Sequence, residues 1–106
     1  MMDYGNIDGF DWDAANVRKS EDKHGVTQVE AEQVFFNMPV VHVPDLKHSE
    51  VEPRFYVLGK TNEGRLLHIT FTLRFGGRKI RVISARAMHR TERRIYEEKA
   101  QNNPQV

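Results

Sequence analysis

Arg74, Arg81 and Arg86 lie along, or at the end of, two strand-like runs that also carry His68. A guanidinium keeps its charge at any working pH and offers a planar fork of donors that matches phosphate oxygens. Arginines on an ordered surface are therefore candidates for holding a phosphate and the charge that builds on it during reaction. An imidazole titrates near neutrality, which makes His68, His24 at a helix end and His89 at the start of the last helical segment candidates for moving a proton. Tyr96 fits a proton donor or base-stacking platform, and equally a half-buried packing role. Around these stand residues suited to nucleic-acid contact: Trp12 as a stacking platform, and Lys23, His24, Arg54, Arg65, Arg90, Arg93 and Arg94 along a phosphate backbone. Each has a plainer reading beside it. Trp12 can be core, the strand arginines can be solvated charges that deter edge pairing, and Arg90, Arg93 and Arg94 can be a wet helix face beside Glu92, Glu97 and Glu98.

The charge is divided along the chain. Residues 1–53 hold 4 Lys or Arg against 11 Asp or Glu, and residues 54–106 hold 12 against 4, under a formal net charge of only +1. Nine basic residues lie between Arg65 and Arg94 with one acid, Glu92, among them. An ordered surface of that composition is a footprint for phosphate or for an acidic partner. The chain has no cysteine, which excludes disulfides, thiolate catalysis and zinc ribbons, and its five histidines show no i, i+4 pair, so neither metal nor cofactor is expected. No apolar run approaches the ~20 residues that span a bilayer, and the acidic N-terminus is unlike a signal peptide. A cytoplasmic protein without membrane contact is the expectation.

The elements that must position these groups follow from caps and periodicity. At 106 residues the chain is the size of one domain. Residues 1–9 read as a disordered or extended tail, 10–99 as the domain and 100–106 as a second tail. Asp13 caps a helix over 14–24 that Gly25 ends, and Thr27 with Glu30 forms the capping box of a second, in which Ala31, Val34 and Phe35 share the packed face and Glu32 and Gln33 are wet. Phe35 and Phe36 both read as core. A short strand at 40–43 sits in the proline-punctuated stretch 38–53, and strands follow at 54–60, 65–74 and 79–86, with turns at Asn62-Glu63-Gly64 and Gly76-Gly77. A two-residue turn at Gly76-Gly77 sets Arg74 opposite Lys79, Thr72 opposite Arg81 and His68 opposite Ala85. That register gathers His68, Thr70, Thr72, Arg74 and Arg81 on a polar face. From Met88 the pattern is helical, with Met88 and Ile95 inward and Arg90, Arg93 and Arg94 outward. Two helices, an antiparallel meander and a C-terminal helix make an α+β fold.

Particular residues then carry a resemblance. Phe10-Asp11-Trp12-Asp13, Lys23-His24-Gly25-Val26, Glu32 to Phe36, Arg54 to Gly59, Gly64 to Leu67, Ile83-Ser84-Ala85-Arg86-Ala87 and Glu92-Arg93-Arg94-Ile95-Tyr96, in this order, closely resemble the BrnT family of bacterial type II toxins. The resemblance covers about residues 10–98. It implies a RelE-like α+β domain with a curved antiparallel sheet, acting as a ribonuclease that arrests translation. It also implies a cognate BrnA-like antitoxin with a ribbon-helix-helix region, which blocks the toxin and brings the complex to operator DNA. A metal-independent ribonuclease must activate a ribose 2′-OH, stabilise charge on phosphorus and protonate the leaving 5′ oxygen, and on this reading Arg74, Arg81, Arg86, His68 and Tyr96 share those tasks. The alternative is a non-catalytic RNA- or antitoxin-binding protein with a degenerate site. The chain departs from the family pattern at Ala14 and Asn16, where a proline and then a lysine are expected, and at Ser20, where an asparagine is expected.

Overall fold

Asp13 starts the first helix because its carboxylate accepts the amides of Ala15 at 2.8 Å and Asn16 at 3.4 Å, donors that a helix start leaves open. Helix α1 spans Ala14–His24 and ends at Gly25, whose φ of 62° is the left-handed conformation that a Cβ resists. The amide of Gly25 donates back to the Glu21 carbonyl at 3.0 Å and that of Val26 to the Ser20 carbonyl at 3.1 Å, which closes the helix end. The capping box of α2, Gln28–Val34, is closed both ways: Glu30 N donates to Thr27 Oγ1 at 3.1 Å and Thr27 N to Glu30 Oε1 at 3.0 Å. The structure is a computed structural model that describes residues 6–44 and 53–102. Residues 1–5 and 103–106 of the expected tails, and residues 45–52 of the proline-punctuated stretch, lie outside the described residues; residues 100–102, expected in the C-terminal tail, are helical.

The sheet has five strands: β1 (Gly9–Phe10), β2 (Val41–Pro44), β3 (Phe55–Lys60), β4 (Leu66–Arg74) and β5 (Lys79–Ala87), in the order β1-β5-β4-β3-β2. The meander from β2 to β5 is antiparallel as expected, but β1 pairs parallel with β5, so the sheet is mixed. Ile7 to Gly9 accordingly belong to the fold and not to a tail: Asp8 N donates to the Arg78 carbonyl at 2.8 Å, and Ile7 packs on the core. The expected register holds at the turn end of the hairpin, with Arg74 opposite Lys79 and Thr72 opposite Arg81. The connection itself is longer than Gly76-Gly77, since Phe75 also takes a positive φ of 56° and Arg78 N donates back to the Arg74 carbonyl at 3.1 Å.

Beyond Thr70 the register departs from the expectation. Thr70 pairs with Ser84 and Phe71 with Val82, leaving Ile83 as the extra residue of a β-bulge. His68 therefore faces Arg86 instead of Ala85. Side chains alternate with period two, so the extra residue turns Ala85 into the core and brings Arg86 onto the outer face.

One face of the sheet, through Val57, Leu67, Ile69, Phe71, Ile80, Val82 and Ala85, packs against Val26, Ala31, Val34 and Phe35 of the helical layer. Gly59 allows the close approach of α2 to β3, because a Cβ there would meet Val34 Cγ1 at 2.7 Å. Phe35, the C-cap of α2, is buried, whereas Phe36, in the turn beyond it, is 75% exposed, which corrects its assignment to the core: the chain leaves the helical layer at this point. Helix α3, Arg90–Asn102, covers part of the other face and makes a second apolar cluster of Val41, Leu58, Met88 and Tyr96. Met88, in the link from β5, and Tyr96 of α3 turn inward; Ile95 is 39% exposed. The outer face is thus half covered, and only the part toward Arg74 keeps the polar character expected of the whole. Among the described residues no helix is long and apolar enough to cross a membrane.

Candidate functional site

The outer face is built row by row. Pairing aligns Tyr56 with Thr70 and Ser84, and Leu58 with His68 and Arg86, with Thr72 and Arg81, then Arg74 and Lys79, toward the turn. The start of α3 brings one acid onto this surface. Glu92 sits three residues after His89 and accepts its amide at 2.8 Å, as an N3 glutamate does at a helix start. The same carboxylate takes a bidentate pair from Arg86, Nη1 to Oε1 at 2.8 Å and Nη2 to Oε2 at 2.9 Å. The guanidinium of Arg86 and the His89 amide, against a smaller opposing cost of burial, hold the Glu92 carboxyl down to about 2, so it is ionised throughout the physiological range.

Two histidines flank this carboxylate. Nε2 of His68 lies 3.7 Å from Glu92 Oε2, and Nδ1 of His89 lies 3.9 Å from Oε1. His68 is buried and stacks on Tyr56 with ring centroids 4.6 Å apart, and its burial, aided by the Arg86 charge, pushes its pKa below the ordinary imidazole value. At neutral pH it is an uncharged base. The side chain of His89 is 71% exposed. Arg86 directs one further bond, at 3.1 Å, to the Ala87 carbonyl, and a guanidinium has five donors, so an anion arriving from solvent meets donors that are already oriented.

The other predicted residues are dispersed. Arg81 is held by Asp11, Nε at 2.9 Å and Nη2 at 2.7 Å from Oδ2. Arg74 closes β4 and Arg54 precedes β3, each half-buried at its edge. Tyr96 is buried under α3 and donates its hydroxyl to the Pro39 carbonyl at 2.8 Å, and burial raises its pKa. That geometry engages the phenol with the Pro39 carbonyl, in keeping with a packing role. Trp12 packs against the core on the helical side and donates its indole N–H to Glu32 Oε2 at 2.7 Å, so its faces are not offered to the outer surface. Lys23 is exposed at the end of α1. His24 lends its carbonyl, with that of Gly25, to Arg65, which donates Nη2 at 3.2 Å and Nη1 at 2.7 Å to them and meets Glu30 at 3.3 Å. Arg65 therefore ties helix ends together. Arg90, Arg93 and Arg94 are exposed on α3, as expected.

Glu92 was read only as a neighbour of the arginine band, and Tyr56 was not singled out. The signal for Glu92 was present in its position, the one acid in a basic stretch, three residues into a helix. Tyr56 had none, since nothing local shows that it stacks on His68. The departures at Asn16 and Ser20 are also placed. Asn16 donates to the Val82 carbonyl at 3.4 Å and ties α1 to β5, and Ser20 is the buried residue of α1.

Part of the opposed charge of the two halves is met inside the fold, where Asp8, Asp11 and Glu30 pair with Arg78, Lys79, Arg81 and Arg65. Comparison with known proteins adds the family. The family described as "Ribonuclease toxin, BrnT, of type II toxin-antitoxin system" matches residues 12–92. The crystal structure of the Brucella abortus ribonuclease toxin BrnT, at 1.1 Å resolution, is similar in fold, with a TM-score of 0.57 at 19% identity, covering 77% of this chain and 97% of that one. None of the curated proteins matches the chain. The family match takes in both helical caps, the four strands of the meander and Glu92, and the chain belongs to the BrnT family of ribonuclease toxins of type II toxin–antitoxin systems.

Proposed function

We propose that this chain is a metal-independent endoribonuclease of RelE-like type that cleaves RNA at the Arg86–Glu92 cluster and so inhibits translation. The observation that carries the reading is a single carboxylate, Glu92, that gathers one arginine and two histidines where the start of α3 meets the outer face of the sheet. Arg86, oriented by Glu92, stabilises the negative charge that builds on the phosphoryl oxygens as the 2′ oxygen attacks phosphorus. His68, uncharged at neutral pH, accepts the proton of the 2′-OH. His89, on the solvent side of the same carboxylate, delivers a proton to the departing 5′ oxygen. The products are a 2′,3′-cyclic phosphate and a 5′-hydroxyl, with atoms and protons balanced and no metal required. Arg74 and Arg81 lie on the rows beyond, where the RNA backbone continues, and exposed Arg90, Arg93 and Arg94 extend the basic surface along α3. As a type II toxin the chain has a cognate antitoxin. A ribbon-helix-helix antitoxin with an acidic segment suits this surface, competes with RNA for it and carries the complex to operator DNA.

The test is cleavage of an oligoribonucleotide by purified protein in EDTA, with wild type, Arg86→Ala and His89→Gln compared. Cyclic-phosphate products from the wild type, lost by about a hundredfold or more in Arg86→Ala, are expected. Cleavage that needs added metal, or that survives Arg86→Ala, overturns the assignment. A second reading has its own observation: Arg65, Arg81 and Arg86 are all bound to acids within the fold, as a non-catalytic binding protein permits. RNA shifted in a gel and left intact would favour it.

A further inference from the structure

Two carboxylates hold the head of β5. Asp8 Oδ2 accepts Nε and Nη2 of Arg78 at 3.0 and 2.8 Å, and Asp8 Oδ1 lies 2.8 Å from Nζ of Lys79. Asp11 Oδ2 accepts Nε and Nη2 of Arg81 at 2.9 and 2.7 Å. One short segment at the start of the fold thus sets two anions on three consecutive cations of the basic half, next to Arg74 and at the opposite end of β5 from Arg86.

These acids are not what docks β1. Phe10 inserts into the core, with its ring 5.5 Å from Phe35 and 6.2 Å from Phe36, and Ile7 packs beside it. The amides of Asp8 and Asp11 bond to the carbonyls of Arg78 and Ile80 at 2.8 Å each. With the segment held by its backbone and by Phe10, the two carboxylates are surplus to attachment. Their geometry is that of phosphate oxygens on arginine: a fork at Arg78, a fork at Arg81, and a point contact at Lys79. The Asp8 pairs are also well exposed, at 42% for Asp8 and 67% for Arg78, and exposed ion pairs hold weakly, so another anion can replace the carboxylate at little cost.

We propose that Arg78, Lys79 and Arg81 form an RNA-backbone subsite, separate from the Arg86 cluster, which Asp8 and Asp11 occupy as internal phosphate mimics until RNA displaces them. The subsite deepens the ribonuclease reading and rests on it. RNA that reaches the cleavage cluster must pass along the rows between Arg86 and Arg81, and displacing the acids fixes its path toward the turn. The built-in competitor lowers affinity for short RNA and leaves binding to chains long enough to span both places.

The probe is a single-stranded 2′-O-methyl oligoribonucleotide, uncleavable because its attacking hydroxyl is blocked, with binding read by fluorescence anisotropy across a salt series. With a probe too short to displace the acids from the wild type, Asp8→Asn/Asp11→Asn, with melting checked, is expected to bind about tenfold more tightly and to steepen the slope of log K against log salt by about 1.4, at about 0.7 per phosphate engaged only in the variant. Adding Arg78→Gln/Lys79→Gln is expected to remove most of that gain. Wild-type affinity and slope in the double variant, or a gain that survives the added glutamines, overturns the subsite while wild-type cleavage leaves the ribonuclease reading standing. Tighter binding of the purified antitoxin alone, with RNA affinity unchanged, also overturns it and assigns the cations to the protein partner. RNA neither bound nor cleaved by any form removes both readings. Should the double variant fail to fold, Asp8→Asn at its exposed position carries half of the test, a slope steeper by about 0.7.

Discussion

Replacing Glu92 by glutamine keeps the shape of the side chain and removes its charge, and the consequence can be worked from its surroundings. The carboxylate holds Arg86 through two bonds, caps the first turn of α3 through the His89 amide, and has His68 at 3.7 Å. These bring its pKa from 4.5 to about 2. At 1.36 kcal/mol per pH unit that corresponds to a ceiling of ~3 kcal/mol, and a side chain still 21% open to water realises about half of it, or ~1–2 kcal/mol. The sign follows from the direction. A carboxyl whose pKa is lower in the folded state contributes fully above its unfolded value of 4.5, and the contribution is lost as pH falls through the folded value near 2. Glu92→Gln should therefore lower the melting temperature by about 5–15 °C at pH 7, and the gap to wild type should close between about pH 5 and pH 2. Circular dichroism melts of both proteins at pH 7, 4 and 2.5 measure it. Asp8 and Glu30, also lowered by their basic or backbone partners, shift both proteins alike and cancel in the difference. A gap that stays constant across this range would show that the carboxylate charge is not what binds α3 to β5, and would refute the reasoning.

Tyr96→Phe removes one buried hydrogen bond to the Pro39 carbonyl and should cost about 0.5–1.5 kcal/mol in urea unfolding with RNA cleavage unchanged; lost cleavage at near-native stability would return the phenol to the site. Gly59→Ala forces a methyl against Val34 Cγ1 at 2.7 Å and should destabilise by about 1–3 kcal/mol, measured by the same denaturation; a neutral result would mean that α2 yields freely. Phe35→Ala should cost about 3–5 kcal/mol and Phe36→Ala within about 0.5, because only the first is buried. The burial that depresses His68 keeps it a base to below its ordinary value of 6.5, so the acid limb of the cleavage-rate profile, which reports the base, should fall only below pH 6.5. A fall beginning well above pH 7 would exclude His68 as the base.

The helical layer could be read from the chain because its signals are local. Asp13, Gly25 and the Thr27–Glu30 pair each act within one turn, and α1 begins and ends where they predict. The alternation of β4 likewise set the Arg74–Lys79 and Thr72–Arg81 pairs correctly. What failed was non-local. A bulge at Ile83 is invisible to a two-residue period, so Arg86 could be named as a phosphate ligand but not set beside His68 and Glu92. Strand β1 has two residues and a parallel partner about seventy positions away, too short for any period. The heptad from Met88 to Ile95 does not hold, because Met88 lies in the link before α3 and the helix itself turns Tyr96 inward. The charge division was visible at once, yet its main internal use, acids of one half neutralising cations of the other, needed coordinates.

Arg65 has a consequence for motion. Its guanidinium binds the carbonyls that end α1, meets the carboxylate that opens α2, and hangs from the turn between β3 and β4, where its own amide donates to Thr61 Oγ1 at 3.0 Å. Three junctions, two neighbouring in the chain and the third 35 to 41 residues beyond them, therefore share one cation. None of them can fray without releasing it, and opening one leaves the other two short of a partner. The helix corner and the hairpin turn should accordingly exchange their amide hydrogens together, as one cooperative unit, although turns usually open first and alone. The helical layer is fastened to the sheet at its rim as well as through its core, and its slow fluctuations should be those of a plate lifting at a latched corner.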